Sequence, residues 1–341
     1  MPRSLHTPLC ELMGIRYPIF CAGFGGAATP EMAAAVSNAG GFGVLGCSGM
    51  EPQVVEGLIA RTRELTNLPF GVNTIIAEPD EGDREWLLGQ VAAIAATRIA
   101  AVIVFWGDAA PYVPVAHANG VKVLIQVGSL EEAKAAARAG VDAVIAQGVE
   151  AGGHVRGTTS IWELLPDVVR ALRPLPVLAS GGIGDGAGVA RALQFGAQGV
   201  SLGTRFVASD EAWVHPGYKQ RIVESRAEDT VLNTLYDVNW PDAPHRTLKS
   251  GKTYREWVAA GCPPSGSRPG EGTSIGRRRL STGEVVEWPR YAVGTAAPDF
   301  EGDWEYSPLW AGESCSDVND IKPAAEIVRD LVRDSEAALA G

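Results

Sequence analysis

Histidine is the side chain best suited to moving a proton near neutral pH. One of the five histidines in this 341-residue chain sits where that ability would count. His154 ends the run Ala146-Gln147-Gly148-Val149-Glu150-Ala151-Gly152-Gly153-His154, just past a Gly-Gly turn that follows an apolar strand. His6, His117, His215 and His245 have no such setting. Glu150 is expected either to orient His154 or to ion-pair with Arg156. Two other strand ends, Ser180-Gly181-Gly182-Ile183 and Gly203-Thr204-Arg205-Phe206, point to anion binding. Consecutive glycines let backbone N–H groups approach an anion, and a following helix N-terminus favours negative charge. Asn73, Gln126 and Gln147 are polar residues inside strongly apolar strands. Buried amides need partners. Three of them near strand ends, without a ring of carboxylates, suit a neutral heteroaromatic ring such as a flavin. Asp108, after Phe105-Trp106-Gly107, is either a substrate contact or a helix N-cap.

Eight short apolar runs supply the strands that would position these groups. They begin at Pro18, Phe42, Phe70, Ala101, Lys122, Ala143, Pro176 and Gly199, so successive starts lie 21 to 33 residues apart. That spacing is one strand-helix unit, and near-continuous apolar runs suit parallel strands buried on both faces. The stretches between are rich in alanine and straight-chain residues, with helix starts at Thr29-Pro30, Ser129 and Asp185. Eight units favour an α/β fold of the (β/α)8, or TIM-barrel, type over an open Rossmann-like sheet. Ala22-Gly23-Phe24-Gly25-Gly26 does not fit the dinucleotide-binding glycine spacing. In such a barrel the active site lies at the C-terminal ends of the strands, and the loops after strands 7 and 8 commonly hold a phosphate.

The alternation stops near Arg205. Residues 208–318 hold six of the nine tryptophans, and nine of the twelve residues from Gly261 to Gly272 are Gly, Pro or Ser. Periodicity returns at Asp320-Ile321-Lys322-Pro323, read as a cap before the eighth barrel helix. The expected division is a barrel made of 1–207 and 319–341, with a Trp-rich insertion, 208–318, capping its mouth.

Net charge is −11, from 29 Lys and Arg against 40 Asp and Glu, which disfavours nucleic acid as a partner. Arg277-Arg278-Arg279, the compact basic cluster, reads as a solvated loop. No apolar run is long enough for a membrane span, and MPRSLHTPLCELMG lacks a hydrophobic leader segment. Five widely spaced cysteines without a CxxC pair argue against disulfides and a zinc site. The expectation is a cytoplasmic enzyme without a metal, acting on a small molecule, with a homodimer left open.

The segments PIFCAGFGGAATPEMAAAVSNAGGFGVLG, FGVNTI, LIQVGS, AQGVEAGGH, LASGGIGDG and LGTRF together resemble the nitronate monooxygenase family, formerly called 2-nitropropane dioxygenases. The likeness runs from Ile15 to Phe206 and resumes at Ile321–Leu331. It implies FMN, with its phosphate on Gly181, Gly182, Gly203 and Thr204. It also implies that Ala22, Gly23 and Phe24, with Asn73, Gln126 and Gln147, line the isoalloxazine; Gly152, Gly153 and Ser180 would complete the cofactor's surroundings. His154 matches the family's catalytic base toward a carbon acid. A nitroalkane or its nitronate would give an electron to FMN, and O2 would complete oxidative denitrification to a carbonyl compound and nitrite. The alternative is an FMN-dependent reductase of a quinone or enoyl thioester that uses NAD(P)H. A more distant reading is a barrel lyase or epimerase whose phosphate pocket holds the substrate itself. The chain differs from the family pattern at Phe24, where methionine is common, and at Val155, which separates His154 from Arg156. It differs again at Ala311-Gly312-Glu313-Ser314-Cys315 and in the long insertion.

Overall fold

A computed structural model describes residues 5–77, 81–279 and 283–341. Residues 1–4 of the N-terminal segment lie outside the described residues. The barrel strands are β1 (Ile19–Cys21), β2 (Gly43–Gly46), β3 (Phe70–Ile75), β4 (Ala101–Phe105), β5 (Lys122–Val127), β6 (Ala143–Gln147), β7 (Val177–Ser180) and β8 (Gly199–Leu202). All neighbours pair in parallel, in the order β1-β8-β7-β6-β5-β4-β3-β2. The ring is completed between β1 and β2 by one bridge, Phe20 to Phe42. There Phe42 N donates to Ile19 O at 2.8 Å and Cys21 N to Phe42 O at 3.0 Å. The fold is the (β/α)8 barrel that the eight apolar runs predict.

Side-chain alternation along the strands divides the core into two layers. Phe20, Val44, Ile103, Leu124, Ile145 and Leu178 point inward and fill the barrel, closed from below by Leu9, Cys10 and Met13 of the helix Pro8–Met13. Ile19, Leu45, Val72, Val102, Val123 and Val144 point outward under the helices. The expected helix starts carry their caps: Thr29 accepts from Met32 N (3.2 Å), Ser129 from Glu132 N (3.2 Å) and Asp185 from Gly188 N (2.8 Å). The last helix, Ala324–Ala340, packs between the helix after β1 (Pro30–Asn38) and the helix after β7 (Gly186–Gln194). Asp320 does not cap it. Asp320 pairs instead with Arg205 at 2.9 Å and Lys322 at 2.7 Å, while Glu211 accepts from Ala324 N at 2.8 Å.

Between β8 and that helix the chain builds two small sheets. In one, Thr230–Asn233 pairs with His245–Leu248, which pairs in turn with the two-residue strand Gly153–His154 from the barrel. In the other, Ser274–Arg279 pairs with Val285–Pro289 and with Glu301–Gly302. The segment has its own apolar cluster of Leu235, Tyr236 and Tyr291, flanked by Trp257 and Trp310. Among the described residues no helix is long and apolar enough to cross a membrane.

Candidate active site

A cavity of about 420 Å3 lies at the C-terminal ends of the strands. Its floor is the inner core, with Phe20, Val44, Ile103 and Ile145; its roof comes from the insertion, with Trp213, Trp240, Trp310 and the segment 293–299. That volume lies within the range of about 300–1,000 Å3 usual for substrate and cofactor sites. Ala22, Gly23, Phe24, Asn73, Gln126, Gln147, Gly152, Gly153, His154, Ser180, Gly181, Gly203 and Thr204 all line it. Gly182 does not. A Cβ there would meet Glu150 Cβ at 3.1 Å, so Gly182 abuts the wall of the loop behind.

Gly181 and Gly182 both take the left-handed conformation, with φ of +90° and +66°. Side chains rarely adopt that backbone, and its use here turns the chain sharply after β7. Asp185 already caps the helix that follows, so an anion at this corner would rest on the turn itself and on residues 203–204. Thr204 Oγ1 accepts from Gly312 N at 3.0 Å, which leaves the hydroxyl proton to donate. Across the mouth Asn73 donates to Ile103 O at 3.1 Å. Gln147 is committed at both ends: Nε2 donates to His154 O and Oε1 accepts from Arg156 N, each at 2.9 Å.

That amide is one of two devices fixing His154. The other is the register His245 to His154 in the small sheet, reinforced by Val155 N donating to Pro244 O at 2.8 Å. Around the imidazole stands an aromatic wall. Trp240 stacks on it with centroids 4.0 Å apart and 28° between planes, and Trp310 (5.4 Å), His245 (5.6 Å) and Trp106 (6.1 Å) complete the enclosure. Nε2 of His154 is buried and has no hydrogen-bond partner. Burial first, and the neighbouring His245 second, push its pKa down to about 3. The ring is therefore neutral at working pH, and its Nε2 is left without a partner. His245 is pushed down to about 4 by burial; its Nδ1 contacts Ala243 O at 2.9 Å and its Nε2 accepts from Tyr236 N at 3.2 Å. Trp106 holds a φ of +69°, rare for a bulky side chain, at a cost of about 1–3 kcal/mol that the packing around it must offset.

Three sequence expectations need correction. Glu150 neither orients His154 nor pairs with Arg156; it binds Ser160 Oγ and accepts from Ile161 N at 3.0 Å, capping the helix Ile161–Leu172. Arg156 pairs with Glu132 at 2.7 Å and lies over the Trp106 ring at 4.9 Å. Asp108 closes a local turn by accepting from Ala110 N at 3.0 Å, and it lines a second cavity of about 230 Å3 beside Gln126. The three arginines are not a solvated loop: they stand on the strand Ser274–Arg279, and Arg278 and Arg279 line the main cavity. Sequence reasoning missed Trp106, Trp240, Trp310 and His245. The crowding of tryptophan into residues 208–318 was a visible signal, but it does not say which rings face the mouth.

Fold and site define an enzyme built on a (β/α)8 barrel with its chemistry at the strand ends. The sequence profile of the nitronate monooxygenase family matches residues 6–334. Nitronate monooxygenase of Pseudomonas aeruginosa is 32% identical, over 95% of this chain and 97% of that protein. A (3aS,4S,5R,7aS)-5-hydroxy-7a-methyl-1-oxo-octahydro-1H-indene-4-carboxyl-CoA dehydrogenase of Rhodococcus jostii is 36% identical over 72% of this chain and 67% of its own length. Among solved structures, FabK from Thermotoga maritima superposes with a TM-score of 0.78 at 32% identity, covering 99% and 98% of the two chains. A nitroalkane oxidase from Streptomyces ansochromogenes gives 0.75 at 25% identity, covering 97% and 98%. The chain belongs to the nitronate monooxygenase family and is a flavin-dependent oxidoreductase.

Proposed function

We propose that the protein carries out FMN-dependent oxidative denitrification of alkyl nitronates and nitroalkanes, using O2 and giving a carbonyl compound and nitrite, with His154 as general base. The observation that carries this reading is the unpartnered, buried Nε2 of His154 in the wall of a cavity that also holds the glycine turns of β7 and β8. Gly181, Gly203 and Thr204 would bind the phosphate, with Gly182 completing the turn behind Gly181. Ala22, Gly23, Phe24, Asn73, Gln126 and Gln147 would line the ring, with Gly152, Gly153 and Ser180 around it. FMN, when bound, supplies the electron acceptor.

The protein's own part is to manage a proton. Burial keeps His154 neutral, so Nε2 is free to accept the α-proton of a nitroalkane. Negative charge developing on the adjacent nitro group then raises the imidazole's proton affinity, as an opposite charge within about 4–6 Å does. Gln147 and the small sheet hold the ring still while this happens. We place the enzyme in the cytoplasm, which suits its five free cysteines.

A positioned base contributes about 10²–10⁴-fold to such a step. His154→Asn should therefore suppress oxidation of neutral nitroalkanes by that order while retaining FMN. A pre-formed nitronate has already lost the proton, so its oxidation should fall much less. Equal losses on both substrates would refute the base assignment. The competing reading is reduction of a quinone or enoyl thioester by NAD(P)H; it draws support from the relatives named for a carboxyl-CoA substrate.

A further inference from the structure

The strand Ser274–Arg279 separates its three arginines by what each one meets. Arg277 pairs with the exposed Glu301 at 2.9 Å, and Arg279 donates to Gly283 O at 3.0 Å. Arg278 points to the opposite face from both, as strand alternation requires. It is half-buried and lines the main cavity, with its guanidinium 4.4 Å from the centroid of the Trp288 ring. Among the described residues it makes no ion pair and no hydrogen bond; Asp299, also on the cavity wall, is the acid nearest in effect. Nε1 of Trp288 is buried and unpartnered as well. The cavity-lining guanidinium thus rests on the Trp288 ring without a hydrogen-bond acceptor, in a chain whose net charge is −11.

Polar groups taken out of water are nearly always hydrogen-bonded, and a half-buried cation that no acceptor contacts directly is costly. A guanidinium presents a planar fork matched to the oxygens of a carboxylate or phosphate. We propose that Arg278, backed by the Trp288 ring, is an anion-recognition subsite that takes a carboxylate or phosphate carried by the substrate away from the carbon that meets His154. This rests on the reading that substrate enters the cavity beside His154.

The test is calorimetric titration of the full-length, flavin-loaded protein at low ionic strength, with succinate and with inorganic phosphate as unreactive probes. Wild type should bind at least one of them, and Arg278→Gln should weaken that binding about 10- to 100-fold, the range for a hydrogen bond to a charged group. Arg278→Lys should keep part of the affinity, and Arg277→Gln should keep all of it. Weakening confined to succinate assigns a carboxylate, and weakening confined to phosphate assigns a phosphate ester. Binding of neither probe by wild type, or unchanged binding by Arg278→Gln, overturns the subsite. Calorimetry needs no turnover, so failure of the denitrification reading and failure of this one give different results.

Discussion

Gln147 and His154 show a division of labour between neighbours. The amide uses one donor and one acceptor in holding the backbone on both sides of Val155. The histidine keeps its acceptor free because hydrophobic rings, not polar groups, surround it. The sequence made both residues visible, since a polar side chain in an apolar strand and a histidine after Gly-Gly are local patterns. It could not separate their roles, because hydrogen-bond partners are set by folding. Gly23 is one of the tight steric cases in the site. A Cβ there would lie 2.4 Å from Asn73 Cβ, so the loop after β1 and strand β3 touch only because that side chain is missing. Gly23→Ala should cost about 1–3 kcal/mol, the usual penalty for overpacking, read as a lower denaturation midpoint with an unchanged slope. An unchanged midpoint would mean that the loop moves aside freely.

The strands were legible because parallel strands covered on both faces need apolar residues at every position, and that leaves a continuous signal. The insertion was not legible, because its order comes from pairing distant segments. His245–Leu248 finds partners in Thr230–Asn233 on one side and in the barrel's own Gly153–His154 on the other, and no periodicity announces this. His245 therefore looks isolated in the sequence, although in the fold it stands against His154. The arginine-bearing hairpin packs outside the cluster of Leu235, Tyr236 and Tyr291, so it can be shortened without opening that core. Replacing Arg278–Val286 by Asn-Gly, which joins the paired residues Arg277 and Glu287, should leave flavin content unchanged while lowering turnover if the hairpin acts as a lid, because lids complete a site without holding the cofactor. Flavin loss or aggregation would instead make the hairpin part of the cofactor site or of the core.

For the molecule as a whole, the half-buried His154 and the fully buried His245 couple the site to acid stability. His154 and His245 have folded pKa values of about 3 and about 4, against an ordinary 6.5, so the unfolded chain binds more protons between those limits. Their contribution is full above about pH 6.5 and is lost as pH falls toward 4 and then 3, at up to about 1.4 kcal/mol per pH unit for each ring. The melting temperature should drop across that window, and His154→Asn should flatten the drop; an unaltered slope would mean that the ring is not held neutral. At the same scale lies the choice between a donor with an acidic carbon and a nicotinamide donor. An anaerobic visible spectrum of the purified protein decides it, taken first with propionate 3-nitronate and then with NADH and NADPH. The account predicts that the nitronate bleaches the flavin band within the mixing time scale of turnover and that neither nicotinamide does. Rapid bleaching by NADH or NADPH, with none by the nitronate, would contradict it.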